Sequence, residues 1–102
     1  MAHEMEGLTA MALEATAYRR APGAIAAQID DQMVVLSPVD YSYHALDPVG
    51  AKVWTLLVAP LTLDELVDEL TVTYDVSSDR CRADVVPFLM RMTEIGALEH
   101  PE

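Results

Sequence analysis

The sequence is short of several things, and each shortage removes a class of function. Of its 102 residues, six are Lys or Arg against 17 Asp or Glu, a formal charge of −11. Affinity for nucleic acid comes largely from cationic side chains on phosphates, so this balance argues against a duplex-binding domain. There are only four glycines and none cluster, which leaves no glycine-rich phosphate loop. Cys81 is the one cysteine, so no internal disulfide can form, and a reducing cytosol suits the chain. The three histidines, His3, His44 and His100, lack the local spacing of a metal site. No apolar run approaches the roughly 20 residues of a membrane span. The N-terminus has no basic-then-apolar export signal. The expectation is a cytoplasmic protein with no nucleic acid, no membrane, no metal and no cofactor.

What is present is ordinary globular material, 52% hydrophobic and 23% charged, in a length that suits one domain with a modest core. Residues 1–23 are rich in Ala and Met and end in "YRRAPG". They read as an N-terminal arm, either disordered or partly helical, with Leu8, Met11, Ala12 and Ala15 sharing a helical face. Pro22-Gly23 marks a boundary, and a domain is expected over 24–99.

Within that domain "AIAAQI" (24–29), "MVVLS" (33–37) and "YSYHAL" (41–46) read as three strands. The two turns between them, Asp30-Asp31 and "PVD" (38–40), are short enough to imply an antiparallel meander. Asp47 then supplies an N-cap and Pro48 the first position of a helix running to about Val58, with Val49, Val53, Leu56 and Leu57 on its apolar face. "TLDE" (62–65) has the form of a capping box, with Thr62 as cap and Glu65 reaching back. The helix it opens continues to about Thr73, with Leu63, Leu66, Val67 and Leu70 inward. Val76 is expected in the core. Ser77 or Ser78 caps a third helix to about Ile95, on which Cys81, Val85, Phe88, Leu89 and Met92 recur at helical spacing. Pro87 inside it should bend the helix or shift its start. Gly96 reads as the C-cap, with Ala97-Leu98 tucked back against the core. The fold class is α+β, a three-stranded antiparallel sheet followed by three helices, winged helix-turn-helix-like.

No catalytic constellation emerges. Cys81 and His44 could be paired as nucleophile and base, but Cys81 lies on the apolar face of an amphipathic helix, where a thiol is a packing group. Glu65, Asp68 and Glu69 have the spacing of a solvated helix face. Asp64, Glu65, Asp68, Glu69 and Asp75 form an acidic stretch without a base, and Arg80, Arg82 and Arg91 follow it. A local cluster of arginines in an acidic chain suits an acidic peptide. The sequence argues for a binding module, not an enzyme.

The order of landmarks is informative as a set. "YHALDPVGAKVWTLL" is followed by "TLDELVDELTVTYDV" and then by "ADVVPFLMRMTEIGALE". Leu46, Gly50, Val53, Trp54 and Leu57 in the first block resemble the pattern of the PqqD-like family, the recognition elements for precursors of ribosomally made peptide natural products. Thr62, Leu66, Leu70, Tyr74 and Val76 in the second block fit it too. So do Asp84, Val85, Phe88, Leu89, Met92, Gly96 and Leu98 in the third. The resemblance spans about Ala24 to Glu99. It departs at Asp47, where the family has Asn, and an Asp caps a helix equally well.

The resemblance implies a domain that binds the leader segment of a precursor peptide and delivers it to modifying enzymes. A stand-alone chain of this length is most similar to the recognition protein of a lasso-peptide pathway, whose partners are a separate leader peptidase and a cyclase. The leader would add as a strand beside "YSYHAL", between that strand and the third helix. The implied contact residues are Tyr41, Ser42, Tyr43, His44, Ala45 and Leu46 on the strand, and Arg80, Cys81, Arg82, Asp84, Val85 and Phe88 on the helix. Strand alternation puts Leu46, with His44 and Ser42, towards the helices, so His44 and Ser42 are expected to line the groove floor. Two other classes stay open: a non-catalytic interface subunit of a larger enzyme, and a winged-helix DNA-binding regulator. The oligomeric state is not legible.

Overall fold

The computed structural model describes residues 17–100. The helix expected around Leu8 to Ala15 lies outside them. The elements in chain order are β1 (Ala17–Arg20), β2 (Ile25–Ile29), β3 (Gln32–Leu36), β4 (Tyr43–Leu46), α1 (Pro48–Leu56), β5 (Leu61–Thr62), α2 (Leu63–Thr73), α3 (Ser78–Glu94) and β6 (Leu98–Glu99). The fold is α+β. Strands β2, β3 and β4 form the expected antiparallel meander in that spatial order, and a second antiparallel sheet has the order β5-β1-β6.

The helices start where local chemistry places them. Asp47 caps α1 by accepting the Gly50 N–H at 2.7 Å, with Pro48 at the first helical position. Thr62 and Glu65 exchange both hydrogen bonds of a capping box, at 3.2 and 2.9 Å. Of the two candidate serines, Ser77 caps α3, accepting the Arg80 N–H at 3.2 Å. α3 runs unbroken through Pro87. Pro87 has no N–H to give to the Ala83 carbonyl one turn back, so that acceptor is released on an exposed stretch of helix. Gly96, at φ +78°, ends α3. Ala97 N–H bonds to the Met92 carbonyl and Gly96 N–H to the Thr93 carbonyl, the paired closure of a Schellman motif.

The core lies between the meander and the helices. Val35 and Leu46 from the sheet meet Val53, Trp54 and Leu57 of α1, all four expected inward residues of α2, and Cys81, Val85, Leu89 and Met92 of α3. Each fully buried Leu or Val contributes roughly 1.5–3 kcal/mol over its exposed state. Ala97 and Leu98 are buried as expected.

Three features differ from the sequence reading. Ala17–Arg20, placed by sequence within the N-terminal arm, forms β1, the centre strand of the second sheet, with Tyr18 buried. The Arg20 guanidinium donates to the Trp54 carbonyl at 2.6 and 3.0 Å and lies over the Trp54 ring. It thus satisfies a carbonyl at the C-terminal end of α1, which has no basic residue of its own there. A four-residue strand and two two-residue strands are too short to carry a periodicity, so this sheet left no sequence signal. Val76 is 44% exposed instead of in the core, because the chain leaves α2 extended at Tyr74 and turns through a Val76 N–H to Tyr74 carbonyl bond. The strand expected from Tyr41 begins at Tyr43.

Candidate functional site

The spatial order β2-β3-β4 leaves one long side of β4 without a partner strand among the described residues. The direction of each backbone group on that side follows from the register. In an antiparallel pair, residues alternate between facing their partner and facing away. The hairpin closes at Ile29↔Gln32, so Gln32, Val34 and Leu36 bond towards β2. Met33, Val35 and Ser37 then bond towards β4. The Ser37 N–H to Ser42 carbonyl bond at 2.9 Å agrees independently. Their partners Leu46, His44 and Ser42 therefore turn inward, and the N–H and C=O groups of Tyr43 and Ala45 point out from the free edge. No Lys or Pro blunts β4.

The loop ahead of β4 is built by polar contacts. Tyr41 sits in the left-handed region at φ +61°, its N–H bonded to the Ser37 carbonyl. Asp40 accepts the Ser42 N–H at 3.0 Å and the Ser42 hydroxyl at 2.6 Å. These bonds, the hydroxyl first, hold the Asp40 carboxyl below its usual range. The Ser42 hydroxyl has one hydrogen and gives it to Asp40, so its oxygen accepts from His44 Nε2–H at 2.8 Å. The buried Ser37 hydroxyl donates to the Ile95 carbonyl at 2.6 Å and fastens this loop to the end of α3.

Beside the free edge lies a cleft of about 500 Å³. Ala45, Asp47, Val49 and Gly50 line one side of it, and Asp84, Val85, Pro87, Phe88 and Arg91 line the other. Gly50 lets the ring come close there: a Cβ would meet the Phe88 ring at 2.9 Å, and the ring would have to shift. A smaller apolar hollow shares Val49 and Asp84 with the cleft and adds Leu70, Tyr74, Val76 and Cys81. Burial, joined by the Asp84 carboxylate, pushes the Cys81 thiol up, with Arg82 opposing, so the group stays a protonated packing thiol.

Of the twelve residues expected from sequence, Ala45, Asp84, Val85 and Phe88 meet in the cleft and Cys81 in the adjoining hollow. Tyr43 shares the free edge with Ala45, while His44 and Leu46 face the helices and Tyr41 and Ser42 belong to the loop. The place expected of His44 and Ser42 in the groove falls to Ala45, because the Ser42 hydroxyl and the His44 ring are turned to each other and both residues bond inward to β3. Arg80 pairs with Asp84 at 3.4 Å, and Arg82 bridges to Asp64 of α2 at 2.8 Å. Neither lines the cleft; Arg91 does. The sequence reading placed Arg91 in the arginine cluster but not among the contact residues, although it stands three residues after Phe88 and seven after Asp84 on one stripe of α3. Among the described residues no group of three or more His, Cys, Asp or Glu is placed to hold a metal ion. No helix there is long and apolar enough to cross a membrane.

The sequence profile of the family described as coenzyme PQQ synthesis protein D (PqqD) matches residues 32–98. No curated protein matches the chain. Among solved structures the chain is similar to TbiB1 in complex with the TbiA(beta) leader peptide. That match has 30% identity over 79% of this chain and 94% of the other, with TM-score 0.71. It is similar in fold to a lasso peptide synthetase B1 complexed with the leader peptide, at 23% identity over 80% and 96%, TM-score 0.69. A third structure is the PqqD truncation of Methylobacterium extorquens PqqCD, a functional and stand-alone recognition element for ribosomally synthesized and post-translationally modified peptides. It shares the fold at 22% identity over 87% and 99%, TM-score 0.69.

Proposed function

The chain belongs to the PqqD family, and from that premise we propose that it binds the leader segment of a ribosomally made precursor peptide and delivers it to modifying enzymes. The observation that carries the reading is the free edge of β4, with the Tyr43 and Ala45 backbone groups directed outward beside the cleft. An extended peptide pairing there gains main-chain hydrogen bonds from the edge and side-chain selection from the cleft. The 30% identity to TbiB1, solved with a leader peptide, supports the same ligand class and a lasso-peptide pathway.

In this reading the chain holds and presents its ligand in the cytosol, while a separate leader peptidase removes the leader and a cyclase closes the ring. The recognition domain occupies residues 24–99, buttressed by β1. Residues 43 and 45 supply the ladder, and Val49, Asp84, Val85, Phe88 and Arg91 supply the pockets. The test is a fluorescence titration with the synthetic leader of the neighbouring precursor gene, against a scrambled leader. Sequence-dependent binding sustains the proposal. Equal affinity for both peptides, or none in a folded protein, overturns it.

A further inference from the structure

Two residues outside the ladder mark one end of the cleft, where the β3–β4 loop meets α3. The first is Tyr41. It sits at φ +61°, in the left-handed region, and is 72% exposed. Its N–H closes the loop onto the Ser37 carbonyl, and Asp40 fixes the next residue through both Ser42 bonds. Gly or Asn suits that backbone, and a bulky side chain holds it only at a cost. A buried ring would offset the cost by packing, but this one is left in water. A residue kept in a costly conformation without packing gain is characteristic of a binding site.

The second is Arg91. Arg19 pairs with Glu99, Arg20 donates to the Trp54 carbonyl, Arg80 pairs with Asp84 and Arg82 with Asp64. Arg91 is the one arginine among the described residues that makes no hydrogen bond or ion pair there, although acids outnumber bases 17 to 6 in the chain. It is exposed and lines the cleft. The two residues belong to one place. Arg91 lies one turn before Ile95, whose carbonyl takes the Ser37 hydroxyl and so fastens the loop to α3. Tyr41 stands two residues before Tyr43, the first of the outward-directed ladder groups.

We infer that this end of the cleft is a second anchoring subsite for the leader, selective for an acidic residue just outside the ladder. A strand bonded to Tyr43 must leave the sheet at the loop, because Ser42 bonds inward and the Tyr41 N–H is taken by Ser37. There the Arg91 guanidinium receives an Asp or Glu carboxylate of the leader in a charge-assisted pair. The exposed Tyr41 ring covers the departing chain and shields that pair from water, which strengthens it. The subsite is continuous with the ladder and the cleft, so one peptide reaches all three. Arg91 also stands in the last turn of α3, where a cation is favoured in any case, and the experiment separates that role from ligand binding. This inference rests on the leader-binding reading and adds which residue type the leader must carry.

The experiment uses the full chain and the fluorescent synthetic leader of the neighbouring precursor gene, with a set of leaders in which each Asp or Glu in turn is replaced by Lys. Arg91→Glu should weaken binding of the parent leader by about tenfold, and one of the Lys leaders should recover most of that loss. A purely structural Arg91 gives no such recovery. Tyr41→Asn relieves the backbone and removes the ring. Its melting temperature should equal or exceed the parent's while leader affinity falls by at least about fivefold. Tyr41→Phe keeps the ring and should lose much less, and Val72→Ala on exposed α2 is the control. Parent-like leader affinity in Tyr41→Asn, a melting temperature lowered by several degrees in that variant, or no Lys leader that recovers Arg91→Glu overturns the inference. If the parent binds its leader in preference to a scrambled one and the variants bind as the parent does, the subsite alone falls. If the parent binds no leader, the leader-binding reading falls and takes the subsite with it.

Discussion

The ring of Phe88 lies so close over Gly50 that a Cβ at position 50 would stand 2.9 Å from its Cε1 and 3.2 Å from the Asp47 carboxylate. The N-terminal turn of α1 and the middle of α3 are therefore in contact at the floor of the cleft. Gly50→Ala should move the ring, not unfold the helix, since Ala gains roughly 1 kcal/mol of helix propensity over Gly. Stability should stay within about 1 kcal/mol of the parent while leader affinity falls severalfold, up to about tenfold. Denaturant melts beside a leader titration separate the two effects.

The register of β4 distinguishes neighbouring positions. Ala45→Pro removes an outward N–H and no bond of the sheet, a place where an edge strand tolerates Pro. It should leave the fold intact and weaken leader binding by about tenfold, near 1.4 kcal/mol. His44→Pro removes the donor to Val35 and should destabilise the protein by about 1–3 kcal/mol. Thermal melts of both variants check the register, and equal melting points would overturn it.

Among the α3 arginines, Arg91 should matter most to the ligand. Arg80 and Arg82 are engaged with Asp84 and Asp64, whereas Arg91 lines the cleft. Arg91→Gln should lower affinity for a leader carrying acidic residues and flatten its salt dependence. Arg80→Gln and Arg82→Gln should change leader affinity less and stability by about 0–1 kcal/mol each. Titrations at low and high salt decide it.

Gly96→Ala should destabilise the fold without touching the ligand. Its φ of +78° is one that residues with a Cβ adopt at a cost of about 1–3 kcal/mol. A Cβ would also approach the Val39 side chain to 2.6 Å. The melting temperature should fall by several degrees with leader affinity unchanged.

Asp40 should report loop integrity through pH. Its carboxyl is held low by the Ser42 hydroxyl and N–H, so its contribution to stability is present above the unfolded pKa and lost as pH falls through the folded one. Ser42→Ala should raise the Asp40 pKa towards its ordinary value, read by NMR titration.

Sequence alone went far with the helices and the meander. Their signals are local: Asp47-Pro48, the Thr62–Glu65 box, Ser77 and Gly96 act on the backbone within a few residues, and the apolar repeat of α2 needs no distant partner to be recognised. Val76 was misjudged because one apolar residue in a link has no period to place it. The second sheet was invisible because its strands are two to four residues long and pair Ala17–Arg20 with segments more than forty residues away. The site was only partly legible. That β4 is an edge could be anticipated from its place in a meander, but which of its groups face outward depends on which β3 residues bond to β2.

The sequence by itself determined the Asp47 cap that opens α1, the capping box that opens α2, which residues share each apolar stripe, and the family pattern those landmarks spell, because these follow from short-range backbone chemistry and residue spacing. Only the tertiary structure decided that Tyr43 and Ala45 carry the free ladder groups, that Gly50 and Phe88 close the cleft floor, and that Arg91, not Arg80 or Arg82, stands in its lining. It also decided that the outer rows of the meander form one apolar face, open among the described residues. Those are matters of register and of which side chains the packed helices bring together, and no local stretch of chain contains them.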